Sequence, residues 1–528
     1  MTHVYPLGTK PAQPLPVARV LSIAGTDPTG GAGLHADLKA ISAAGGYGMA
    51  VTTAIISQNT QGVDSIFTPP AHVLRDQLAS VATDVDIDAV KIGMLGNPKT
   101  IDIVREFIAT LDGTPVVLDP VMVATSGDRL LDKDAESAIL DLAGRVDCVT
   151  PNLKELAVLC GLSPEEEATD VDQAVAMAKD WAKQTGTTVI VKGGHLRDDR
   201  ADNAVVDGTG LIHRVACPRV ETKNTHGTGC SLSSALATRL GQGEGLAAAL
   251  EWSTRWLHEA IANADALAVG RGHGPVDHGH RQRRLARAAS AQPVPAVDVA
   301  AAYTAAQSQP APQPAIPAPG PHTAALWAAT LGLWKDLLAL PFIGRLGDGT
   351  LNADDFSFYV AQDAIYLRHY STALGRLGAL ARDPQDRQFW AAGAAEVLVA
   401  ESDLHRDWLG GETAARPSQV TSAYTDFLVA TAYTEDYAVA AAAVLPCYWL
   451  YAEVGRHLLA QDREDHPFHA WLQMYSGPDF VEGTQRALQM VEDALEEATD
   501  AQRQRAFDAF YRASLAELAF FDQADRRF

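Results

Sequence analysis

The stretch NTHGTGCSLSSALA, residues 224–237, puts a thiol where a glycine-rich turn enters an alanine-rich helix. A helix starting near Gly227 aims the unsatisfied amides of Gly227, Thr228, Gly229 and Cys230 at one spot, and the helix dipole adds partial positive charge there. That combination is an anion hole. A thiol at such a terminus has its thiolate favoured, so the position predicts that Cys230 ionises near neutral pH and accepts a proton. The structural alternative is that Cys230 is a small buried hydrophobe. A second glycine cluster, AGTDPTGGAG at residues 24–33, precedes a helix carrying Asp37. It either brings backbone close to a ligand or makes a sharp turn. The chain has no GxxxxGK[ST] sequence, so the common phosphate-binding loop is excluded.

The second half of the chain carries another set of reactive residues. In DDFSFYVAQDAIYLRHYSTALGRL, helical spacing places Phe356, Tyr359, Val360, Asp363, Tyr366, Leu367, Tyr370 and Leu374 on one stripe. Asp363 therefore sits among core residues and must be paired, hydrogen-bonded or facing a cavity. In AAAAVLPCYWLYAEVGRHLL, Cys447 and Tyr451 share a face, and Pro446 is expected to kink the helix beside the thiol. The last helix encloses Glu517 within a stripe of Phe507, Phe510, Ser514 and Phe521. Acid, nucleophile and acid on the inner faces of three helices point to a buried site inside a bundle. Each alone is also compatible with a satisfied core polar group. Tyr424, Tyr451 and Tyr475 suit stacking on a flat heterocycle, or core packing.

Two kinds of scaffold must position these groups. Upstream, VARVLSIAG, DAVKIGML, TPVVLDPVM, DCVTPN and TTVIVKGG are short runs rich in valine and isoleucine that end in turn residues and alternate with helical stretches. This predicts an α/β domain with a mainly parallel sheet and helices on both faces, its ligands beyond the carboxyl ends of the strands. Downstream, helical periodicity dominates and predicts an all-α bundle. Between them, residues 281–323 are dense in proline and alanine and read as an extended, semi-rigid tether. The expected organisation is a leader at 1–17, an α/β domain at 18–280, a linker at 281–323 and a helical domain at 324–528.

With 528 residues the chain exceeds one core. A net charge of −23 argues against nucleic acid or anionic lipid as partners. No unbroken apolar stretch of about 18 residues stands out, so no membrane role is expected. The N-terminus lacks the pattern of a secretory signal. Five cysteines, odd in number and without a CxxC pair, read as reduced thiols in the cytoplasm.

AGTDPTGGAGLHADLKAISAAGGYG, TTAIISQNTQGV, VKIGMLG, VVLDPVM, TPNLKE, VKGGH, TKNTHGTGCSLSSALA and GPVDHGH occur in that order. Together they resemble the hydroxymethylpyrimidine/phosphomethylpyrimidine kinases of thiamine synthesis, which have the ribokinase-like fold. The resemblance implies that Gly25, Asp37, Gln58, Met94 and Val121 line an aminopyrimidine pocket. Gln58 suits that task because an amide both donates and accepts. Asp119, Asn152 and Glu155 are implied to lie near Mg and the ATP phosphates, with Lys192 balancing phosphate charge and Cys230 as the base. Capping and loop stabilisation is the structural alternative for Asp119 and Asn152. Pyridoxal, a flat ring that also bears a hydroxymethyl group, remains the competing kinase substrate.

GRLGDGTL, FSFYVAQDAIYL, LPCYWLYAEVG, QMYSGPDF and the terminal ELAFF resemble the TenA-like thiaminase II aminopyrimidine hydrolases. This implies Cys447 as the nucleophile, Asp363 as the holder of the amino group and ring nitrogen, and Glu517 as the proton shuttle. Tyr451, Tyr475, Tyr366 and Tyr424 are implied around the substrate. The chain departs from the family at Phe521, often tryptophan, and at Tyr475-Ser476-Gly477, often YGG. The joint expectation is an enzyme that hydrolyses an aminopyrimidine and then phosphorylates the hydroxymethyl product, as a homo-oligomer. The competing reading is a pyridoxal-type kinase with a non-catalytic, ligand-binding helical domain.

Overall fold

The structure is a computed structural model that describes residues 15–122, 135–195, 200–309, 311–409 and 415–526. The leader expected at 1–17 lies almost wholly outside the described residues. Contacts divide the chain into two units that meet in sequence between Ala289 and Ser290.

The first unit is built on nine described strands: β1 (Arg19–Gly25), β2 (Tyr47–Asn59), β3 (Gly62–Phe67), β4 (Ala89–Ile92), β5 (Val116–Leu118), β6 (Cys148–Val149), β7 (Thr188–Lys192), β8 (Asn203–Asp207) and β9 (Gly210–Val215). Their order is β3-β2-β1-β4-β5-β6-β7-β8-β9. The six central strands are parallel, while β3, β8 and β9 pair antiparallel at the edges. Period-two alternation feeds two cores. Leu21, Ile23, Val90, Ile92 and Leu118 pack on one face of the sheet, and Val20, Ala89, Val117 and Ile190 on the other. Both faces are therefore apolar and covered by helices, which is why the central strands read as continuous hydrophobic runs. The chain steps from β1 to β2 on one side and returns to β4 on the other. Open α/β sheets take ligands beyond the carboxyl ends of the strands at such a switch point, which here is where Gly25 ends β1 and Met94 follows β4. The antiparallel edges were not legible as valine-rich runs, because β3 and β9 are half exposed and mixed in composition.

The second unit is helical, with one continuous core. Its principal helices are Pro321–Leu338, Ala353–Leu380, Pro384–Leu409, Gln419–Thr434, Tyr437–Leu458, Pro478–Glu497 and Asp500–Asp522. The expected inner stripe is buried at Phe356, Tyr359, Val360, Asp363, Tyr366, Tyr370 and Leu374, and Leu367 is partly exposed. Tyr437–Leu458 continues through Pro446 as one helix, and the Tyr370 hydroxyl donates to the Val444 carbonyl in that region at 2.9 Å. Residues Tyr437–Gln461 are long and apolar enough to cross a membrane, contrary to the sequence expectation, with a mean hydropathy of 1.4. However, 89% of that window is buried inside the protein, as befits a central core helix.

The tether expectation is corrected. Val299–Gln307 is a helix, and much of 295–323 packs into the second unit. Asp508 accepts from the Val297 amide, and Glu453 accepts from the Ala315 and Ile316 amides, all within 2.8 Å. Glu492 accepts from His322 and Thr323. Trp449 Nε1 donates to the Ile316 carbonyl, and Ile316 is 1% exposed. Composition misled because a few anchors and distant carboxylates, not local density, hold the segment. A chain starting at Ala324 would orphan Glu453 and Glu492, each costing about 1–3 kcal/mol. Compared with one starting at Ser290, it is expected to melt about 4–20 °C lower, as calorimetry on the two truncations would measure.

Candidate functional sites

In the first unit the helix Thr228–Gly241 begins where the sequence placed it, with Gly227 as its cap. Gly227 has φ +81°, and a Cβ there would lie 1.8 Å from the Gly31 carbonyl oxygen, so only glycine fits. The two glycine-rich loops are thus pressed backbone to backbone. A side-chain latch reinforces them. The Asp27 carboxylate accepts from Thr29 N and Oγ1, Gly31 N and Ala32 N within its own loop, and from His226 Nε2 at 2.9 Å across the gap. Although burial works the other way, the hydrogen bonds from His226 and Thr29 hold the Asp27 carboxyl well below its usual range. Neither Asp27 nor His226 stood out in the sequence, because they are 199 residues apart. His226→Ala is expected to loosen the loops and lower turnover at this site about tenfold or more while leaving the helical unit unaffected, as steady-state assays of each unit would measure.

Beside this helix start, Lys192 Nζ and Thr150 Oγ1 both donate to Asp119 Oδ1 at 3.1 Å. A side chain on Gly229 would meet Asp119 Oδ2 at 3.3 Å and Lys192 Nζ at 3.5 Å, so these groups border the amide cradle. The Thr228 amide turns back to the Thr225 carbonyl at 3.4 Å, which leaves Gly229 and Cys230 as the better-placed donors. Burial alone would lower the Lys192 ammonium, but Asp119 and Glu155 hold it above its usual value. Asn152 and Glu155 form a reciprocal capping box on the helix Leu153–Leu159, with bonds of 2.9 and 2.8 Å. The structural alternative thus accounts for the Asn152 carboxamide oxygen. Burial and Asp119 push the Glu155 carboxyl up to about 7, against the pull of Lys192.

Two sequence expectations need correction here. Asp37 does not line an open pocket. It is fully buried and accepts from Lys91 Nζ at 2.8 and 2.9 Å, from Ser22 Oγ at 2.6 Å and from Ser234 Oγ at 2.8 Å. Ser234 lies one turn after Cys230, so this satisfied cluster sits beneath the thiol as a support. Nor is Cys230 an acidic thiol in this structure. It is partly exposed, and desolvation pushes it up to about 11. Lys91 and a hydrogen bond from the Gly33 amide pull it down, but burial, Asp37 and Asp119 outweigh them.

The other residues that the resemblance placed beside a ring come from distant segments. Met94 clusters with Ala54 and Ile56, and Val63 and Val121 pack against them. A Cβ on Gly25 would lie 3.0 Å from Ile56 Cδ1 and 3.3 Å from Met94 Sδ. Gln58 lies at a register shift in β2 opposite Val63, partly exposed, with its amide uncommitted among the described residues. The result is an apolar floor with a polar edge at the switch point.

In the second unit, Asp363, Cys447 and Glu517 converge as the stripes predicted. Glu517 is 1% exposed and accepts from the Tyr424 hydroxyl at 2.7 Å. Burial pushes its carboxyl up to about 8; the Tyr424 bond lowers it and Asp363 raises it. The Cys447 thiol is partly exposed. Desolvation and the nearby Glu517 push it well above its usual value, and hydrogen bonding to Tyr366 and Tyr370 opposes this. The Tyr366 hydroxyl is buried beside the Cys447 thiol. Its ring packs on Tyr424 at 5.0 Å and Phe520 at 5.5 Å. Tyr451 packs on Tyr475 and Phe521, each at 4.9 Å, and Phe521 stacks on Tyr359. Phenylalanine at 521 therefore fills an aromatic wall. Tyr370 comes with the expected stripe, whereas Phe520 and Trp471 join the site only through tertiary packing. A thiol, a carboxyl able to carry a proton near neutrality and stacked rings can together perform nucleophilic addition with proton transfer on a flat heterocycle.

Residues 27–277 match the phosphomethylpyrimidine kinase family, and residues 327–527 match the TENA/THI-4/PQQC family. The whole chain is 52% identical to the thiamine biosynthesis multifunctional protein ThiED of Corynebacterium efficiens, spanning 71% of that protein. Over 263 residues it is 44% identical to the hydroxymethylpyrimidine/phosphomethylpyrimidine kinase of Rhizobium meliloti, covering 49% of this chain and 97% of that one. A solved pyridoxal kinase from Staphylococcus aureus in complex with AMP-PCP is 29% identical with a TM-score of 0.46, covering 51% of this chain and 96% of that one.

Proposed function

The chain belongs to the thiamine biosynthesis multifunctional protein family, a phosphomethylpyrimidine kinase followed by a TENA/THI-4/PQQC domain, and on that premise we propose how its two sites act. It is a bifunctional enzyme of thiamine biosynthesis. The helical unit hydrolyses a 5-aminomethylpyrimidine or thiamine, and the α/β unit phosphorylates the hydroxymethylpyrimidine released. The observation that carries the hydrolase assignment is the meeting of Cys447 and Glu517 from two helices inside one core.

In the helical unit Cys447 Sγ adds to the pyrimidine ring as its proton passes to a ring nitrogen, and the bond from the exocyclic methylene to the leaving nitrogen breaks. Glu517, carrying its proton near neutral pH, delivers it to that nitrogen, which departs as ammonia. Water then adds to the methylene, Glu517 recovers a proton from it, and Cys447 is expelled as the ring nitrogen returns its proton. Asp363 orients the amino group and ring nitrogen, and the tyrosines stack on the ring.

In the α/β unit the hydroxymethyl oxygen attacks the γ-phosphorus of ATP, the bond to ADP breaks, and the thiolate form of Cys230, the minor form that Lys91 and the Gly33 amide favour, takes the hydroxyl proton. Lys192 and the Gly229 and Cys230 amides stabilise the equatorial charge. Met94, Val121 and Gly25 support the ring while Gln58 reads its edge. The residues fit one magnesium ion. Asp119 keeps an oxygen, Oδ2, toward the cradle, and nucleotide phosphates commonly complete such a shell. Glu155, whose carboxylate accepts from the Asn152 and Met122 amides, supports this arrangement from behind. Bound there, magnesium would neutralise phosphate charge.

Product analysis with the 5-aminomethylpyrimidine and magnesium ATP tests both halves. Ammonia should appear first, then the monophosphate and the pyrophosphate. Phosphorylation of pyridoxal in strong preference to the pyrimidine, with no ammonia, would favour the competing reading.

A further inference from the structure

The aromatic wall of the helical site contains a directional hydrogen-bond chain. A phenol has one proton to give and lone pairs to accept, whereas an indole N–H can only donate. The Tyr359 hydroxyl donates to the Tyr451 hydroxyl at 3.3 Å, and both residues are 1% exposed. Trp471, also 1% exposed, packs on the Tyr451 ring at 6.4 Å, and its Nε1, which can only donate, has no hydrogen-bond partner among the described residues and offers the Tyr359 proton no acceptor. The Tyr359 proton goes toward Tyr451. The Tyr451 oxygen then receives a proton from behind and must send its own forward. Among the described residues that forward proton meets no acceptor in hydrogen-bond geometry. The rings cannot swivel to escape this arrangement. Phe521 stacks on Tyr359 at 5.7 Å with planes 14° apart, and Phe520 and Phe342 close its other sides. Tyr475 and Phe521 hold Tyr451.

We propose that Tyr359 is a positioning residue for the helical site: by donating to Tyr451 it makes that hydroxyl present its proton to an acceptor atom of the bound ring. The acceptor is a ring nitrogen of an aminopyrimidine, so this inference rests on the hydrolase reading above. It also gives a reason for a tyrosine at 359. A phenylalanine would pack as well on Phe521 but would leave the Tyr451 proton free to point backwards.

The test is steady-state ammonia release by the full chain carrying Tyr359→Phe, Tyr451→Phe or both. Tyr359→Phe should raise KM about tenfold, the equivalent of one lost hydrogen bond, with kcat within about twofold. In the double variant the loss should not exceed that of Tyr451→Phe alone, because Tyr359 acts only through Tyr451. Tyr359→Met, which also lacks the hydroxyl, should raise KM by the same factor of about ten, which gives a second reading if Tyr359→Phe folds poorly. Independent losses in the double variant, or a lowered melting temperature with unchanged KM in the folded single variants, would overturn the inference alone. No ammonia from the unmodified chain would overturn the hydrolase reading and this inference with it.

Discussion

Cys447→Ser is expected to reduce ammonia release at least about a thousandfold while phosphorylation stays within about twofold, and Cys230→Ala is expected to do the reverse. Serine keeps the volume and a hydrogen-bonding hydrogen near Tyr366 and Tyr370, so the helix Tyr437–Leu458 should pack unchanged. What it loses is nucleophilicity, because an alcohol attacks an aromatic ring far more weakly than a thiol at the same pH. The Cys447 thiol is pushed up by burial and by Glu517, so its reactivity depends on a proton leaving as the bond to the ring forms. At Cys230 the loss is of a different kind. Alanine removes the proton acceptor at the start of the helix Thr228–Gly241 and leaves the amide cradle, Lys192 and Asp119 in place. Nucleotide binding should therefore persist as turnover falls, and KM for ATP beside kcat checks this. Loss of both activities from either change, in a folded protein, would sink the assignment of separate sites.

The second large effect belongs to Glu517→Gln, which should lower ammonia release about 10²- to 10⁴-fold, the usual contribution of a general acid. Because burial holds the Glu517 carboxyl at about 8, unmodified enzyme should release ammonia at a rate that falls as pH rises through 8 and the acid form is lost. Stability should move in the same direction. In the unfolded chain this carboxyl gives up its proton near its ordinary value of 4.5, whereas the folded chain retains it to about 8. Between those values the folded state binds more protons, so stability falls with rising pH across that window and levels off above it. Glutamine accepts the same Tyr424 hydrogen bond without a charge to bury. Glu517→Gln should therefore lose this part of the pH dependence of melting and be the more stable protein at pH 8, although nearly inactive. A Glu517→Gln protein that retains activity, or that melts with an unchanged pH profile, would show that the acid lies elsewhere.

The two sites differ in how they make an acid or a base. At Glu517 the desolvation of a core wins and stores a proton. At Cys230 Lys91 and the Gly33 amide work against burial, Asp37 and Asp119.

The amino-acid sequence by itself determined the fold classes, because period-two alternation on both faces and 3.6-residue stripes are local patterns that survive without knowledge of partners. It also determined the reactive residues carried by those patterns. Cys230 at a helix mouth and Asp363, Cys447 and Glu517 on inner stripes could be read from spacing. Tertiary structure decided everything that depends on residues far apart in the chain. It drew Asp37 into a buried cluster with Lys91 and Ser234, and it latched Asp27 to His226. It built the proline-rich segment onto Glu453 and Glu492. It also decided the protonation of Cys230 and Glu517, since desolvation depends on which distant elements close over a group and no local pattern encodes that.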